Sequence, residues 1–177
     1  MTYSEDFYLE EGRVARESAG PVADWYMTSY PSTKTVIDVG CGTGEWARAF
    51  ADRGCWVMGV DAYSPPELHV VGVLPANLLF GYKCDGYDLA VCLEVAEHLP
   101  HFTAEFLVEG LAGAVRILFS AATPGQPGVD HINCQPHEYW HGLFADHKYT
   151  PTHVGPQFDG QIADFYVRNM YLYERPA

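Results

Sequence analysis

The run Thr35-Val36-Ile37-Asp38-Val39-Gly40-Cys41-Gly42-Thr43-Gly44-Glu45-Trp46 constrains this chain more than any other. Its apolar first half reads as a buried parallel strand and its three alternate glycines as a tight turn. Glu45-Trp46-Ala47-Arg48-Ala49-Phe50 then opens an amphipathic helix. Strand, glycine turn and helix N-terminus together let backbone come close to a ligand. A dinucleotide-binding turn needs a third glycine three residues after the second, where helix and pyrophosphate approach each other. Three residues after Gly42 stands Glu45. A carboxylate there, with Asp38 just before the turn, opposes a pyrophosphate and favours a cationic ligand without phosphate. Trp56-Val57-Met58-Gly59-Val60-Asp61 reads as a second apolar strand. It closes on an acid at about the spacing where such folds bind a ribose diol.

Asp38-Val39-Gly40-Cys41-Gly42-Thr43-Gly44 resembles the first motif of class I S-adenosylmethionine-dependent methyltransferases. The resemblance implies a single α/β domain, a doubly wound, mostly parallel seven-stranded sheet of Rossmann-like type. Residues 1–30 would form a helical preamble and 31–177 the core. The implied cofactor is S-adenosyl-L-methionine, which has a cationic sulfonium and amine and no phosphate. In the family the acid closing the second strand holds the ribose hydroxyls, a part that falls to Asp61, although capping a turn is equally open to it. Asn77, in Ala76-Asn77-Leu78-Leu79, stands where relatives commonly carry an Asp-Leu pair whose acid meets the adenine amino group. Its amide oxygen can accept the same hydrogen bond, and a surface-turn asparagine is the alternative. The implied cofactor set is Asp38, Gly40, Cys41, Gly42, Gly44, Trp46, Asp61, Asn77, Leu78, Leu93 and Glu94.

With 177 residues the chain is long enough for one domain with a sizeable core. No run of about eighteen apolar residues suggests a membrane span. The acidic start Met1-Thr2-Tyr3-Ser4-Glu5-Asp6 lacks the basic-then-apolar pattern of a signal peptide. Five cysteines without a C-x-x-C pair point to reduced thiols and a cytoplasmic setting. A formal charge of −13 disfavours nucleic acid as partner, because phosphate binding needs clustered Lys and Arg. A small-molecule substrate is the expectation, and the pattern fixes no oligomeric state.

Ahead of the glycine turn, apolar positions from about Ser4 to Thr28 follow helical spacing, interrupted at Gly12 and Gly20-Pro21, which predicts two short helices. In the family such a preamble covers one sheet face, with Tyr8 open to a lid role or to plain core packing. Past Asp61, Tyr63-Ser64-Pro65-Pro66 is a turn, and the short stretch before Pro75 leaves the usual helix shortened or absent. Tyr87–Leu93 predicts the fourth strand, Thr103–Gly113 a helix and Val115–Ala121 the fifth strand. A helix starting near Pro136 and ending by Lys148 comes next, then a hairpin pairing Thr150–Val154 with Asn169–Tyr173.

The stretch Glu94-Val95-Ala96-Glu97-His98-Leu99-Pro100 is similar to the motif that follows strand four in small-molecule methyltransferases. It differs from the Asn-Pro-Pro-Tyr and Pro-Cys motifs of base methyltransferases. His98 and His131 are the candidate general bases for a hydroxyl acceptor, each with a structural role as its alternative. Spacings of three and four would bring Glu94, Glu97 and His98 to one face of a helical turn, a set of donors that suits a divalent ion. That string resembles metal-assisted hydroxyl methyltransferases acting on quinone precursors and on RNA ribose, in which a later histidine completes the metal site, a part that the resemblance leaves to His131 or His137. The string also occurs in metal-free members, so a divalent ion is the less favoured reading. The favoured function is O-methylation of a small molecule or sugar. The alternatives are a metal-assisted RNA ribose methyltransferase and a methyltransferase-like binding module without turnover.

Overall fold

The computed structural model describes residues 3–78 and 82–176, so Leu79 and the first two residues of the predicted preamble lie outside the described residues. In chain order the elements are α1 (Glu5–Ser29), β1 (Thr35–Val39), α2 (Glu45–Ala51), β2 (Trp56–Asp61), β3 (Val73–Pro75) and β4 (Leu89–Leu93). There follow α3 (Ala104–Leu111), β5 (Arg116–Ser120), α4 (His137–Asp146), β6 (Thr150–His153), α5 (Asp164–Asn169) and β7 (Tyr171–Glu174). Among the described residues the strands form one sheet in the order β3-β2-β1-β4-β5-β7-β6. All neighbours are parallel except β7, which runs antiparallel to β5 and to β6. The doubly wound α/β expectation is met.

Alternate side chains of each strand enter opposite faces, as the two-residue repeat requires. Ile37, Ala90, Cys92, Ile117, Phe119 and Tyr173 pack on the face covered by α3 and α4, around Leu107, Trp140 and Phe144. Val36, Leu89, Val91, Leu118 and Leu172 pack on the other face, under α1, α2 and α5, around Val22, Tyr26, Phe50 and Tyr166. Strands buried on both faces read as unbroken apolar runs, which is why β1, β4 and β5 are legible from sequence.

The preamble departs from expectation: it is one helix, not two. Ser4 caps it, accepting the Phe7 N–H on its hydroxyl at 3.2 Å, and Pro21 lies inside it. An interior proline removes one hydrogen bond and costs about 3 kcal/mol. Burial of Ala19, Val22, Ala23 and Tyr26 on both sides of it offsets that cost. Arg53 also donates to the Gly20 carbonyl at 3.0 Å, occupying an acceptor next to the break. Between β2 and β3 only a single 3₁₀ turn, Pro66–Leu68, remains, in line with the missing helix. The closing hairpin is β6 with β7, but Asn169 ends a short helix, α5, instead of starting the strand. No helix among the described residues is long and apolar enough to cross a membrane.

Phe144 joins the sheet to α4, with its ring 4.1 Å from Tyr173 and 5.3 Å from Phe119. Phe144→Ala should lower unfolding free energy by about 3–5 kcal/mol, the range for a buried aromatic truncated to alanine. Urea titration checks it: a midpoint within experimental error of wild type would mean that this seam does not hold the domain together.

Candidate functional site

The parallel strands end on one rim, and a cavity of about 580 Å³ opens there, of the size that small-molecule sites occupy. The glycine turn Gly40–Thr43 forms one side, with Asp61, Ala62, Tyr63, Asn77 and Leu78 beside it. Leu93–Val95, His98–Pro100 and the loop after β5, from Gln126 to Ile132, face them across the opening. Residues Tyr3 to Ala15 of the N-terminal segment, with Phe165 and Tyr166 of α5, complete the lining.

The turn owes its shape to three positive-φ glycines, at +76° for Gly40, +54° for Gly42 and +90° for Gly44. A Cβ on Gly40 would overlap the Val95 side chain, so this glycine lets the ends of β1 and β4 close up. The Gly40 and Cys41 N–H groups both donate to the Val60 carbonyl, at 2.7 and 3.1 Å. Asp61 then locks the turn. One of its carboxylate oxygens accepts the Gly42 N–H at 3.0 Å, and the other accepts those of Tyr63 and Ser64 at 2.8 Å each. A carboxylate offers about four acceptor positions. Three are used locally, which leaves one for a ligand, so the two roles open to Asp61 are compatible.

Of the cofactor set, Gly40, Cys41, Gly42, Trp46, Asp61, Asn77, Leu78, Leu93 and Glu94 line the cavity, and Asp38 and Gly44 do not. Asp38, 2% exposed, lies beneath the turn and accepts the Ala47 N–H at 3.1 Å near the start of α2. Burial pushes its carboxyl up to about 7. Gly44 caps α2 against Val71. Trp46 donates its indole N–H to the Tyr166 hydroxyl at 3.3 Å. Burial pushes the Cys41 thiol up, which leaves it without nucleophilic character.

The electrostatic argument from Glu45 needs correction. Its side chain is 6% exposed and turned to Arg16, accepting from two guanidinium nitrogens at 2.6 and 3.1 Å. It therefore does not face a ligand. The acidity of the cavity comes instead from Glu11, Asp61 and Glu94, and none of the described residues that line it is Lys or Arg. Burial, reinforced by Glu10, raises Glu11 above the usual carboxylate range.

The Glu-x-x-Glu-His string is rearranged relative to expectation. Glu94 takes φ +53°, in the left-handed region, so no helical turn runs from it, and a 3₁₀ turn forms only over Ala96–His98. One ligand atom each of Glu97, His98 and His131 lies within 4.8 Å of the others, and Glu94 is not part of this group. Glu97 is fully buried and accepts the Ala122 N–H at 3.1 Å. Its other oxygen and one oxygen of Glu94 meet no N–H or O–H donor among the described residues, and the two carboxyls stand against each other, where a proton held by one serves both. Burial raises both carboxyls, that of Glu97 further because Glu94 stands against it. His137 lies elsewhere, against Tyr171 on the α4 side.

His98 and His131 come together, with ring centroids 5.1 Å apart. His98 Nδ1 is 3.3 Å from the Tyr3 hydroxyl, and burial, then His131, holds its imidazole below the usual histidine value. His131 Nδ1 is 3.2 Å from the Gln126 carbonyl, which can only accept. The neutral ring therefore carries its proton on Nδ1 and its lone pair on Nε2. Sequence reading missed Gln126, in the loop after β5, and Tyr166, in the unanticipated helix α5.

A family model for a methyltransferase domain matches residues 16–125. A ubiquinone biosynthesis O-methyltransferase of Pseudomonas fluorescens (strain SBW25) is 34% identical over 125 residues, 63% of this chain and 49% of that protein. The chain thus spans about half the length of that curated relative. Among solved structures, a sugar N-methyltransferase of Streptoalloteichus sp. ATCC 53650 aligns over 100% of this chain and 94% of its own. Its TM-score is 0.70, at 14% identity. A magnesium protoporphyrin IX methyltransferase of Synechocystis PCC 6803, solved with bound SAH, aligns over 99% of this chain and 89% of its own with TM-score 0.68 at 18% identity.

A carboxyl whose folded-state value is raised favours folding while neutral and opposes it once ionised. The contribution of Asp38 is thus fully present below the ordinary carboxylate value and is lost as pH rises to about 7. Asp38→Asn keeps an oxygen for the Ala47 N–H and never ionises. Its stability should fall less than that of wild type between about pH 4 and 7, by about 1.4 kcal/mol for each unit of displacement removed. Denaturant unfolding at several pH values compares the slopes; equal slopes would remove Asp38 as a source of the pH dependence.

Proposed function

The chain belongs to the methyltransferase-domain family of class I S-adenosylmethionine-dependent enzymes, and from that premise we propose that it methylates a hydroxyl of a small molecule or sugar. The observation that carries this reading is the acidic cavity at the strand ends, with no Lys or Arg among the described residues of its wall. S-adenosylmethionine would supply an electrophilic methyl group on a cationic sulfonium. The spare acceptor position of Asp61 suits a ribose hydroxyl, and Asn77 and Leu78 flank the adenine end. The lining carboxylates favour positive charge and repel phosphates, which disfavours NAD and an RNA acceptor alike. In-line displacement needs an acceptor held close and aligned, and the Gln126–Ile132 wall is placed to hold it. Nε2 of His131 takes the hydroxyl proton as the new bond forms. The second reading, metal assistance, draws on the convergence of Glu97, His98 and His131. In that case these three would hold an ion that orients the acceptor oxygen.

Calorimetry is expected to show binding of S-adenosylmethionine and S-adenosylhomocysteine and no binding of NAD. Asp61→Ala should weaken the cofactor by at least about 1.5–3 kcal/mol, one hydrogen bond to a charged group, because it also releases the Gly42, Tyr63 and Ser64 N–H groups that shape the turn. Tight NAD binding would overturn this account of the cavity.

In a panel of hydroxyl acceptors, neutral compounds should turn over and their phosphorylated counterparts should not. His131→Ala should keep cofactor affinity and lose about 10²–10⁴-fold in turnover, the usual worth of a general base. A variant within a few-fold of wild type removes His131 as the base. Full turnover in excess chelator disposes of the metal, and abolished turnover with intact cofactor binding selects it.

A further inference from the structure

Gln126 stands where three parts of the rim meet. In the sheet order β5 lies between β4 and β7, and Gln126 belongs to the loop that follows β5. Its side chain reaches to both neighbours. Nε2 donates to a Glu94 carboxylate oxygen at 3.2 Å, just past the end of β4, and Oε1 accepts from Asn169 Nδ2 at 2.9 Å, just before β7. The polarity is unambiguous, because a flipped amide would set oxygen against carboxylate and NH₂ against NH₂. Asn169 is 2% exposed, so the outer anchor is buried. The Gln126 N–H also donates to the Thr123 carbonyl at 3.0 Å, closing the turn that starts the loop.

The main-chain carbonyl of the same residue accepts the Nδ1 proton of His131. Five residues separate the two, and the chain folds back over Gly128, where a Cβ would overlap the His131 imidazole. Free histidine prefers its proton on Nε2, which leaves Nδ1 as the acceptor. The Gln126 carbonyl reverses that preference and frees Nε2 as the basic nitrogen.

We propose that Gln126 is a positioning residue: braced between Glu94 and Asn169, its side chain holds its own carbonyl where it fixes the tautomer of His131. This rests on the reading of His131 as the base. The brace acts on the loop, so its loss should lower kcat at saturating cofactor, beyond any change in cofactor affinity passed on through Glu94.

Imidazole nitrogen NMR on histidine-labelled protein tests the proposal without an acceptor. The wild type should show His131 protonated on Nδ1. Gln126→Ala and, as an independent route if that variant folds poorly, Asn169→Ala should both move it toward Nε2–H, and turnover is compared at saturating cofactor. In turnover each variant should lose about tenfold and the double variant no more than either, because both cut one brace. A wild-type His131 protonated on Nε2, or a tautomer unmoved in both variants, overturns the proposal. So do additive losses. His131→Ala separates the two readings. If it retains turnover, the general-base reading fails, whereas the NMR result still judges the brace. If it loses turnover while both brace variants keep theirs, the brace fails and the base stands.

Discussion

The pairing of the Asp61 carboxylate with the Gly42 N–H is the interaction on which the site depends. It ties the turn after β1 to the end of β2, and the shared Val60 carbonyl ties the same strands one residue earlier. The chain leaves β1 for β2 on one side and returns to β4 on the other. Such reversal points open a crevice at the carboxyl ends of the strands. Gly40 keeps its two sides close enough to share a ligand, since any side chain there would push Val95 and the end of β4 away. These contacts hold the glycine turn against the ends of β2 and β4, and nine of the eleven sequence-derived cofactor positions line the cavity there.

Charge is organised in two tiers. Below the turn, Asp38 is enclosed and tends to hold its proton, serving α2 and not the ligand. On the cavity wall, Glu11 and Glu94 are raised by burial. A cationic ligand returns such groups toward their ionised form, because a nearby positive charge favours the carboxylate. Binding of a sulfonium and ionisation of the wall thus reinforce each other, whereas a phosphate meets opposition from both. Glu45 and Arg16 neutralise one another at the edge of this arrangement and pin α1 to α2.

The strands and the glycine turn were legible because a strand buried on both faces leaves an uninterrupted apolar run, and a turn of this tightness leaves glycines. What was not legible depended on contacts distant in sequence. Pro21 reads as a break, and only packing across the sheet face overrides it. Glu45 reads as an exposed carboxylate because its partner lies 29 positions earlier, on another helix. The spacings of three and four from Glu94 to Glu97 and His98 predict a shared helical face, but Glu94 takes a left-handed conformation and stays outside the group that Glu97 and His98 form with His131. His131 was placed correctly at the rim because loops after parallel strands end there, whereas its tautomer depends on a backbone carbonyl that no residue pattern records.

The short helix α5 shows how a departure from a simple hairpin changes the chemistry available. A direct turn from β6 to β7 would leave the outer end of the rim open. The inserted segment instead returns Phe165 and Tyr166 to the cavity wall and sets Asn169 against Gln126. The Tyr166 hydroxyl accepts a hydrogen bond from the Trp46 indole N–H, so the last part of the chain closes onto the first helix after the glycine turn. Asn169 braces the loop carrying His131 from the opposite side. Because the antiparallel β7 lies next to β5, these contacts reach the centre of the rim and not its margin. The last part of the chain is thereby the part that joins the glycine-turn side of the cavity, through Trp46, to the loop that carries His131.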